Sequence, residues 1–270
     1  MHRLLLLVLL IASTAFAADP PKPPVIGEHP SPWRLGIAFG YGERSNPLIQ
    51  SDDIPIVVDI DIAWFGERFF FDNGDLGFTF VNNDRLTLST IARVNSDRVF
   101  FGKTNTRFVV IGAGELAGLD AELRVPDRDY AIELGGELLT DGRWGRLQLG
   151  AFADVSGTHD GFEAFADYSY GVRRQRWYVE PSLVLSYKSE RFNDYYWGVQ
   201  PDEASPVLPA YGADAGVNVK ARLSVGYRLS KDWTVSIAVE GEKLNDEAAD
   251  SPLVADDNVV GFFAGLAYEF

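Results

Sequence analysis

Strict alternation of apolar and polar residues along several long stretches constrains the fold of this chain more than any other feature. Between positions 217 and 229 every odd-numbered residue is apolar, and every even-numbered residue is polar or Gly. A period of two places the two sets on opposite faces of a β-strand. The pattern recurs at 130–138, 147–155, 177–188 and 233–240. The sequence therefore predicts an all-β chain.

The lengths of these stretches indicate a membrane setting. They run for about nine to thirteen residues, whereas strands of soluble proteins average about 5–6 and membrane-barrel strands need about 9–11. Aromatic residues lie at the predicted strand ends, where they would meet the membrane interfaces. We predict a transmembrane antiparallel up-and-down β-barrel with its apolar face in outer-membrane lipid. The aromatic residues in question are Trp33, Trp144, Trp177, Tyr178, Tyr187, Tyr227, Trp233 and Tyr268.

The strand count follows from the same pattern. We predict twelve strands, an even number as in bacterial barrels, with ten or fourteen as alternatives because residues 66–117 are ambiguous. A hairpin turn at 72–74 and an extra pair within 99–111 are open possibilities there. No helix is predicted. The predicted strands are 33–42, 54–64, 67–72 continuing to 80, 85–94, 118–126, 130–139, 145–155, 162–172, 177–188, 214–229, 233–242 and 260–270.

The first residues resemble an export signal. Arg3 precedes a short apolar run, and Ala15-Phe16-Ala17 forms a small-x-small cleavage site. The run is shorter than the roughly 20 residues that a membrane-spanning helix needs. We predict a signal peptide at 1–17, a Pro-rich periplasmic lead at 18–31 and a single barrel domain at 32–270. Short turns would then be periplasmic and long loops external.

The last strand is apolar on one face. Phe262, Leu266, Tyr268 and Phe270 fall on that face, and the chain stops at Phe270. We expect this strand to pair with the first, which would leave no open sheet edge. A terminal aromatic strand of this kind resembles the recognition signal of the barrel-assembly machinery. A sandwich strand that ends in Phe by chance is the alternative.

Composition excludes one class of partner. The formal net charge is −15, and nucleic-acid binding depends on neutralising phosphates with Lys and Arg. The mean hydropathy is −0.05, which suggests a soluble protein, but alternating strands average to such a value.

Catalytic patterns are weak. His159, Asp160 and Glu163 could be weak ligands of a metal ion, although a solvated loop explains them better. Ser156 lies near His159, but an outer-membrane lipase would also need an oriented third residue. The Gly-rich segment at 112–118 lacks the spacing of a phosphate loop. We predict no enzymatic activity, no cofactor and no metal.

Two sets of residues are candidates for function. The polar strand faces predict a lumen lined by both signs of charge, and the pattern leaves open whether that lumen conducts or is plugged. The aromatic run Tyr195-Tyr196-Trp197 could form a lid, contact a partner or pack its own loop. The predicted lumen residues are Arg146, Glu180, Lys188, Lys220, Arg222, Arg228, Glu240 and Glu242.

Several motifs resemble the MipA/OmpV family of outer-membrane proteins. The sharpest is the run from Phe192 through Tyr195, Tyr196, Trp197, Gly198 and Val199, followed by Pro201, Glu203-Ala204 and Tyr211. Trp197 departs from the family's usual Tyr, and 95–117 cannot be aligned. The resemblance implies either a scaffold that binds a lytic transglycosylase and a murein synthase, or a porin-like protein. It implies no shared catalytic residues.

We therefore expect a non-enzymatic scaffold for cell-wall enzymes. Docking would use the Pro-rich lead and short turns that carry Arg143, Arg173, Arg174 and Arg176. The alternative is a porin-like diffusion channel for small polar solutes.

Overall fold

The computed structural model describes residues 32–101 and 125–270, and nearly all of its regular structure is β-strand. Two short α-helices, α1 (Glu190–Trp197) and α2 (Asp246–Ala249), and a 3₁₀ helix (Asp97–Phe101) lie between strands. The strands are β1 (Trp33–Arg44), β2 (Ile54–Phe65), β3 (Phe69–Asp72), β4 (Asp75–Asn82), β5 (Leu86–Val94), β6 (Ile132–Gly142), β7 (Gly145–Asp154), β8 (Phe162–Ser169), β9 (Val172–Arg174), β10 (Trp177–Lys188), β11 (Gly216–Arg228), β12 (Trp233–Lys243) and β13 (Asn258–Glu269).

The strands close into a barrel. Each pairs antiparallel with the next along the chain, and β13 pairs with β1 from Gly36↔Glu269 to Arg44↔Gly261. The short segment β9 continues β8 after a two-residue interruption, and both pair with β10. The thirteen segments therefore make twelve barrel strands. The predicted fold and strand count are confirmed.

Alternation in the sequence becomes two faces of the wall. On β1, Trp33, Leu35 and Phe39 are exposed on the outer face, while Ala38 is buried on the inner face. Aromatic rings collect at one rim, with ring centroids 4.8 Å apart for Trp177–Tyr227 and for Trp233–Tyr268, and 6.3 Å apart for Trp144–Tyr168. This arrangement matches the girdle that marks a membrane–water interface.

The two ends of the barrel differ. One end, here called the turn end, carries connections of two or three residues at 66–68, 83–85, 143–144 and 175–176, and a four-residue turn at 229–232. The other, here called the loop end, carries the longer segments at 45–53, 155–161, 189–215 and 244–257, together with the described residues 95–101 and 125–131 between β5 and β6. Short turns of such barrels face the periplasm and long loops face outward. No helix in the described parts of the chain is long and apolar enough to cross a membrane.

The final strand lies at the seam of the barrel. The side chains of Phe262 and Leu266 point outward from β13, and the N–H of Phe270 donates to the carbonyl oxygen of Leu35 at 2.9 Å. The expected pairing of last and first strands is present. A role for Phe262, Leu266, Tyr268 and Phe270 in assembly stays a prediction.

Three details differ from the sequence predictions. The segment predicted as a strand at 67–72 continuing to 80 is the hairpin that was left open at 72–74, because Asn73 and Gly74 adopt positive φ and turn the chain between β3 and β4. The predicted strand at 118–126 is wrong where it can be seen: β5 pairs directly with β6, and residues 125–126 are not in a strand. The rest of that range, and most of 99–111, lie outside the described residues. The helices α1 and α2 were not predicted.

The short β3 also shapes the wall. Three of its four residues, 70–72, pair with Ala63–Phe65 of β2, and all four pair with β4. Toward the loop end, the Asn73 side chain accepts from the N–H of Ile62 at 2.9 Å, and the pairing of β2 with β3 ends there. Among the described residues, the edge of β2 at 54–61 that faces away from β1 has no strand partner.

Closure at the β1–β13 seam requires a very close approach at Gly40, so Gly40→Val should destabilise the barrel. A Cβ there would lie 2.3 Å from the Ala264 carbonyl oxygen and 2.7 Å from the Gly265 Cα. We expect a loss of about 3 kcal/mol or more, measured as the urea midpoint of the folded form in lipid vesicles. Gly241→Val is the control, because nothing lies within 4 Å of a Cβ at that position. Equal midpoints for the two variants would contradict the seam geometry.

Candidate functional site

Hydrophobic side chains from several loops pack together across the loop end of the barrel. We call this cluster the cap. It joins the β1–β2 loop, the 3₁₀ helix, α1 with the residues that follow it, and the α2 region to the inward-facing ends of β2 and β13. Its buried members are Leu48, Ile54, Phe100, Phe101, Phe192, Tyr196, Trp197, Val199, Leu208, Ala213, Leu244, Ala248, Leu253 and Val259.

Helix α1 supplies the centre of the cap. Phe192, Tyr196 and Trp197 have 0% of their surface exposed. The Phe192 and Tyr196 rings lie 5.0 Å apart, and Trp197 contacts Phe100 at 6.1 Å and Phe101 at 5.7 Å. Because residues four apart share one face of a helix, Phe192 and Tyr196 reach the same core. The sequence left three roles open for the run Tyr195-Tyr196-Trp197: a lid, a partner contact or packing within its own loop. In the structure the run packs with its own loop over the mouth of the barrel.

The rest of the aromatic motif fixes the path of the chain. A Cβ at Gly198 would lie 2.2 Å from the Asp194 carbonyl oxygen, so the exit from α1 requires Gly. Val199 then forms two backbone hydrogen bonds with Tyr211, at 2.8 and 3.0 Å. Tyr195 stays at the edge of the cap, where its hydroxyl accepts from the N–H of Asp129 at 2.8 Å.

Buried amides tie the cap to the barrel wall. The Asn193 side chain donates to the Asp214 carbonyl oxygen at 2.7 Å and contacts Oδ1 of Asn245 at 3.3 Å. Asn245 in turn donates to Oδ1 of Asn218 at 2.7 Å, and Asn218 donates to Oε1 of Glu242 at 2.9 Å. These bonds connect α1 to β11 and β12 through buried amide groups, although Oδ1 of Asn193 itself has no hydrogen-bond partner among the described residues.

An arginine clamp holds the outer edge of the cap. The guanidinium of Arg128 donates to both carboxylate oxygens of Glu203, at 2.5 and 3.0 Å, and to the carbonyl oxygen of Gly198 at 3.0 Å. Burial alone would raise the pKa of Glu203, but the hydrogen bonds from Arg128 and from the N–H of Gln200 hold it below its ordinary value. The clamp borders an outward-facing cavity of about 430 Å³.

The part of the lumen nearer the loop end contains paired charges. Arg222 lies 3.2 Å from Glu240, and Lys220 lies 3.0 Å from Glu242. Arg44 reaches Glu242 at 3.4 Å from the other side of β13. These residues of β11, β12 and β1 form a network in which each cation has an anionic partner.

The remaining predicted lumen residues are distributed along the barrel. Arg146 pairs with Asp141 at 2.8 Å near the turn end. Glu180 accepts a hydrogen bond from the Tyr178 hydroxyl. Arg228 follows the inward-facing register of β11 but is exposed at the rim.

Lys188 lies directly beneath the cap. Its ammonium group is 4% exposed and pairs with Asp97 at the start of the 3₁₀ helix. Arg93 pairs with Glu133 at 2.8 Å and with Glu163 at 3.5 Å. The wall therefore holds the cap from below by an ion pair as well as by amides.

The prediction of a solvated loop around His159 is wrong for that side chain. It is fully buried, with its ring centroid 4.9 Å from that of Phe192. Its Nδ1 accepts from the N–H of Gly161 at 3.0 Å, and its Nε2 lies 3.3 Å from a carboxylate oxygen of Glu133. His159 therefore lies between Phe192 of the cap and Glu133 of the lumen network.

The described residues support neither a catalytic Ser156–His159 pair nor a metal site. The Ser156 hydroxyl bonds Asp154 at 2.6 Å rather than His159. Within residues 32–101 and 125–270, no three His, Cys, Asp or Glu side chains group in a way that could hold a metal ion.

Several residues that hold the cap were not predicted from the sequence. Asn218 sits in an alternating strand like any lumen residue, and Arg128 lies 75 positions from its partner Glu203, so no local pattern marks either of them. The spacing of Phe192, Asn193, Tyr196 and Trp197 does carry a helical period that could have revealed α1.

Acidic pH should loosen the edge of the cap. Because the folded-state pKa of Glu203 is lowered, its stabilising contribution is present above the unfolded-state pKa, about 4.3, and is lost as pH falls through the folded-state value. We expect amide protection factors at 199–211 to fall between pH 5 and the acid limit. Glu203→Gln should lower the free energy of local opening at 199–211 by about 1 kcal/mol at pH 7. The variant should also lose the pH dependence of the protection factors.

Asp202→Asn is the matched control, because Asp202 is the exposed neighbour of Glu203. We expect this variant to keep both the protection and its pH dependence. The same loss in both variants would exclude the Arg128 clamp as the cause.

Comparisons with known proteins agree with this architecture. A family model described as MltA-interacting protein MipA matches residues 35–270. The MltA-interacting protein of Escherichia coli K12 is 26% identical over 238 residues, covering 87% of this chain and 89% of that protein. Outer membrane protein OmpV of Vibrio cholerae is 24% identical over 267 residues, covering 97% and 96%. Outer membrane protein Omp26La of Vibrio anguillarum is 26% identical, covering 90% and 88%.

Among solved structures, the NanC porin has a TM-score of 0.45 at 10% identity, covering 87% of this chain and all of that one. The family model spans most of the sequence, and its members' names place them in the outer membrane. The chain therefore belongs to the MltA-interacting protein MipA family and is an outer-membrane β-barrel protein of the MipA/OmpV type.

Proposed function

We propose that this protein is a structural scaffold whose barrel is closed to solutes and whose turn end holds cell-wall enzymes in the periplasm. The observation that carries this proposal is the cap. An aromatic core with fully buried Tyr196 and Trp197 occupies the mouth at the loop end. A lining that guides solutes presents water-accessible polar groups, whereas this mouth is packed with side chains.

Removing the cap from the mouth would be costly. Trp197 is held by rings on the 3₁₀ helix and by its own carbonyl oxygen, which accepts from the Ser251 hydroxyl at 2.5 Å. Moving α1 aside would also break the Asn193–Asn245 contact and expose Phe192. Burial of each large aromatic side chain contributes about 2 kcal/mol, so thermal opening would be rare.

The ion pairs beneath the cap support the same conclusion. Lys188 forms an ion pair with Asp97 on the 3₁₀ helix, and Arg93 forms ion pairs with Glu133 and Glu163. A permeating ion would compete with partners that are already in place. Such satisfied pairs stabilise one arrangement of the lumen.

The periplasmic role rests on the shape of the barrel. The turn end offers only short connections, together with the predicted Pro-rich lead at 18–31. The Escherichia coli relative is named for its interaction with MltA. We carry this to the present chain as a proposal: the turn end and the lead bind a lytic transglycosylase and a murein synthase, with no catalytic step by the barrel itself.

A diffusion channel for small polar solutes is the second candidate. It is favoured by the polar inner wall, where Arg222 and Glu240 face the lumen. In that case the cap would have to open as a gate.

Conductance with a cap variant separates the two functions. We expect the purified protein to be silent in planar lipid bilayers, and Trp197→Ala to show openings, because loss of a buried Trp costs about 3–5 kcal/mol. Trp144→Ala removes an exposed Trp at the opposite rim and should stay silent. Steady conductance of the unmodified protein would overturn closure and support the channel.

The partner is tested separately. A lytic transglycosylase of the MltA type should bind the purified protein, and the Trp197→Ala variant should bind it equally because the cap lies at the other end of the barrel. Absence of binding by the unmodified, folded protein would reject the scaffold role even if the bilayer stayed silent.

A further inference from the structure

The outward-facing cavity beside the arginine clamp has no part in closing the mouth or in the scaffold role. Its volume of about 430 Å³ falls within the range of small-molecule sites, about 300–1,000 Å³. Residues 125–131, the loop 155–161 and α1 with the residues that follow it all contribute to its lining. The cavity therefore lies where three separate segments of the loop end meet.

Helix α1 presents one face to the cap and another to this cavity. Phe192 and Tyr196 belong to the buried core of the cap, whereas Arg191, Asp194 and Tyr195 line the cavity. Because residues three and four apart lie on the same face of a helix, these three side chains form one wall.

Hydrogen bonds hold the lining in place. The guanidinium of Arg128 is 4% exposed and is bound by Glu203. Nε2 of Gln200 donates to the Asp194 carboxylate at 3.0 Å, and the Tyr195 hydroxyl accepts from the backbone N–H of residue 129 at 2.8 Å. A site that is ordered in advance loses less conformational freedom when it binds a ligand.

Two charged side chains at the cavity have no partner within the described parts of the chain. Arg191 on α1 and Asp160 on the loop 155–161 are exposed and line the cavity, and neither side chain forms an ion pair or a hydrogen bond there. Arg191 also lies in the first turn of α1, where the helix dipole disfavours a positive charge. The fold itself gives no reason for placing these two opposite charges at one cavity.

A ligand that carries both signs of charge would satisfy the two residues together. Its carboxylate would bind Arg191, whose planar fork matches a carboxylate, and its ammonium group would bind Asp160. Because no ion pair joins them, the charged atoms of Arg191 and Asp160 lie more than 4 Å apart. The two charges of a free amino acid are attached to one carbon atom, whereas the ends of an extended dipeptide are about 7 Å apart.

We propose that this cavity binds a dipeptide-sized zwitterion from outside the cell, with its carboxylate on Arg191 and its ammonium group on Asp160. The site lies on the outer surface of the cap and does not depend on the scaffold role. Rejection of one proposal therefore leaves the other standing.

The test compares three peptides by equilibrium dialysis against the folded, detergent-purified protein. L-alanyl-L-alanine carries both charges, its N-acetyl form lacks the ammonium group, and its C-terminal amide lacks the carboxylate. We expect the unblocked dipeptide to bind at least tenfold more tightly than either blocked form.

Substitutions assign each charge to its residue. Arg191→Gln should weaken binding of the unblocked dipeptide at least tenfold and leave binding of the amide unchanged, because the amide has no carboxylate. Asp160→Asn should weaken the dipeptide equally and leave the N-acetyl form unchanged, and Asn tolerates the positive φ at position 160. The controls Glu190→Gln and Arg176→Gln remove exposed charges that do not line the cavity and should bind like the unmodified protein.

The other outcomes overturn the proposal. No binding of the dipeptide by the folded, unmodified protein, or equal binding of all three peptides, would show that no zwitterion site exists here. Equal weakening by either control would show a general effect of charge. Free alanine that binds as tightly as the dipeptide would reject a peptide as the occupant. Folding of every variant is checked by the shift in gel mobility on heating.

Discussion

The backbone hydrogen bonds between β1 and β13 close the sheet, and the remainder of the structure depends on that closure. In hydrocarbon an unpaired N–H or C=O costs several kcal/mol, so a sheet can span the membrane only as a closed barrel. Closure requires Gly40 and Gly265 to meet across the seam. It also fixes which residues of every strand face lipid, because a one-residue slip would turn each apolar side chain inward.

The barrel and the cap solve different physical problems. The wall places most of its apolar residues outward, and its lumen holds ion pairs such as Arg93–Glu133 beside a few buried rings such as Phe152 and Phe263. The main cluster of buried hydrophobic residues is built by the loops at one end, around Tyr196 and Trp197. Buried contacts such as Lys188–Asp97 join the two regions. The family motif thus has a structural explanation, since its aromatic residues form this second core.

Sequence reasoning predicted the wall well, because alternation is a local signal that each strand carries by itself. It merged β3 and β4 because Phe69–Asp72 is too short to show a period, and the turn depends on the side chain of Asn73. The contacts of the cap could not be predicted. Arg128 with Glu203, and His159 with Glu133, join residues that are far apart in the chain and are brought together only by barrel closure.

The most direct test of this account is fluorescence quenching by brominated phospholipids in vesicles, using variants that keep a single Trp. The account predicts strong quenching of Trp177, which faces the bilayer near the headgroups, and no quenching of Trp197 by bromine at any depth, because that side chain is enclosed by protein. Protection of Trp177 from every brominated lipid would contradict a lipid-covered outer wall. Quenching of Trp197 would contradict an aromatic core inside the mouth of the barrel.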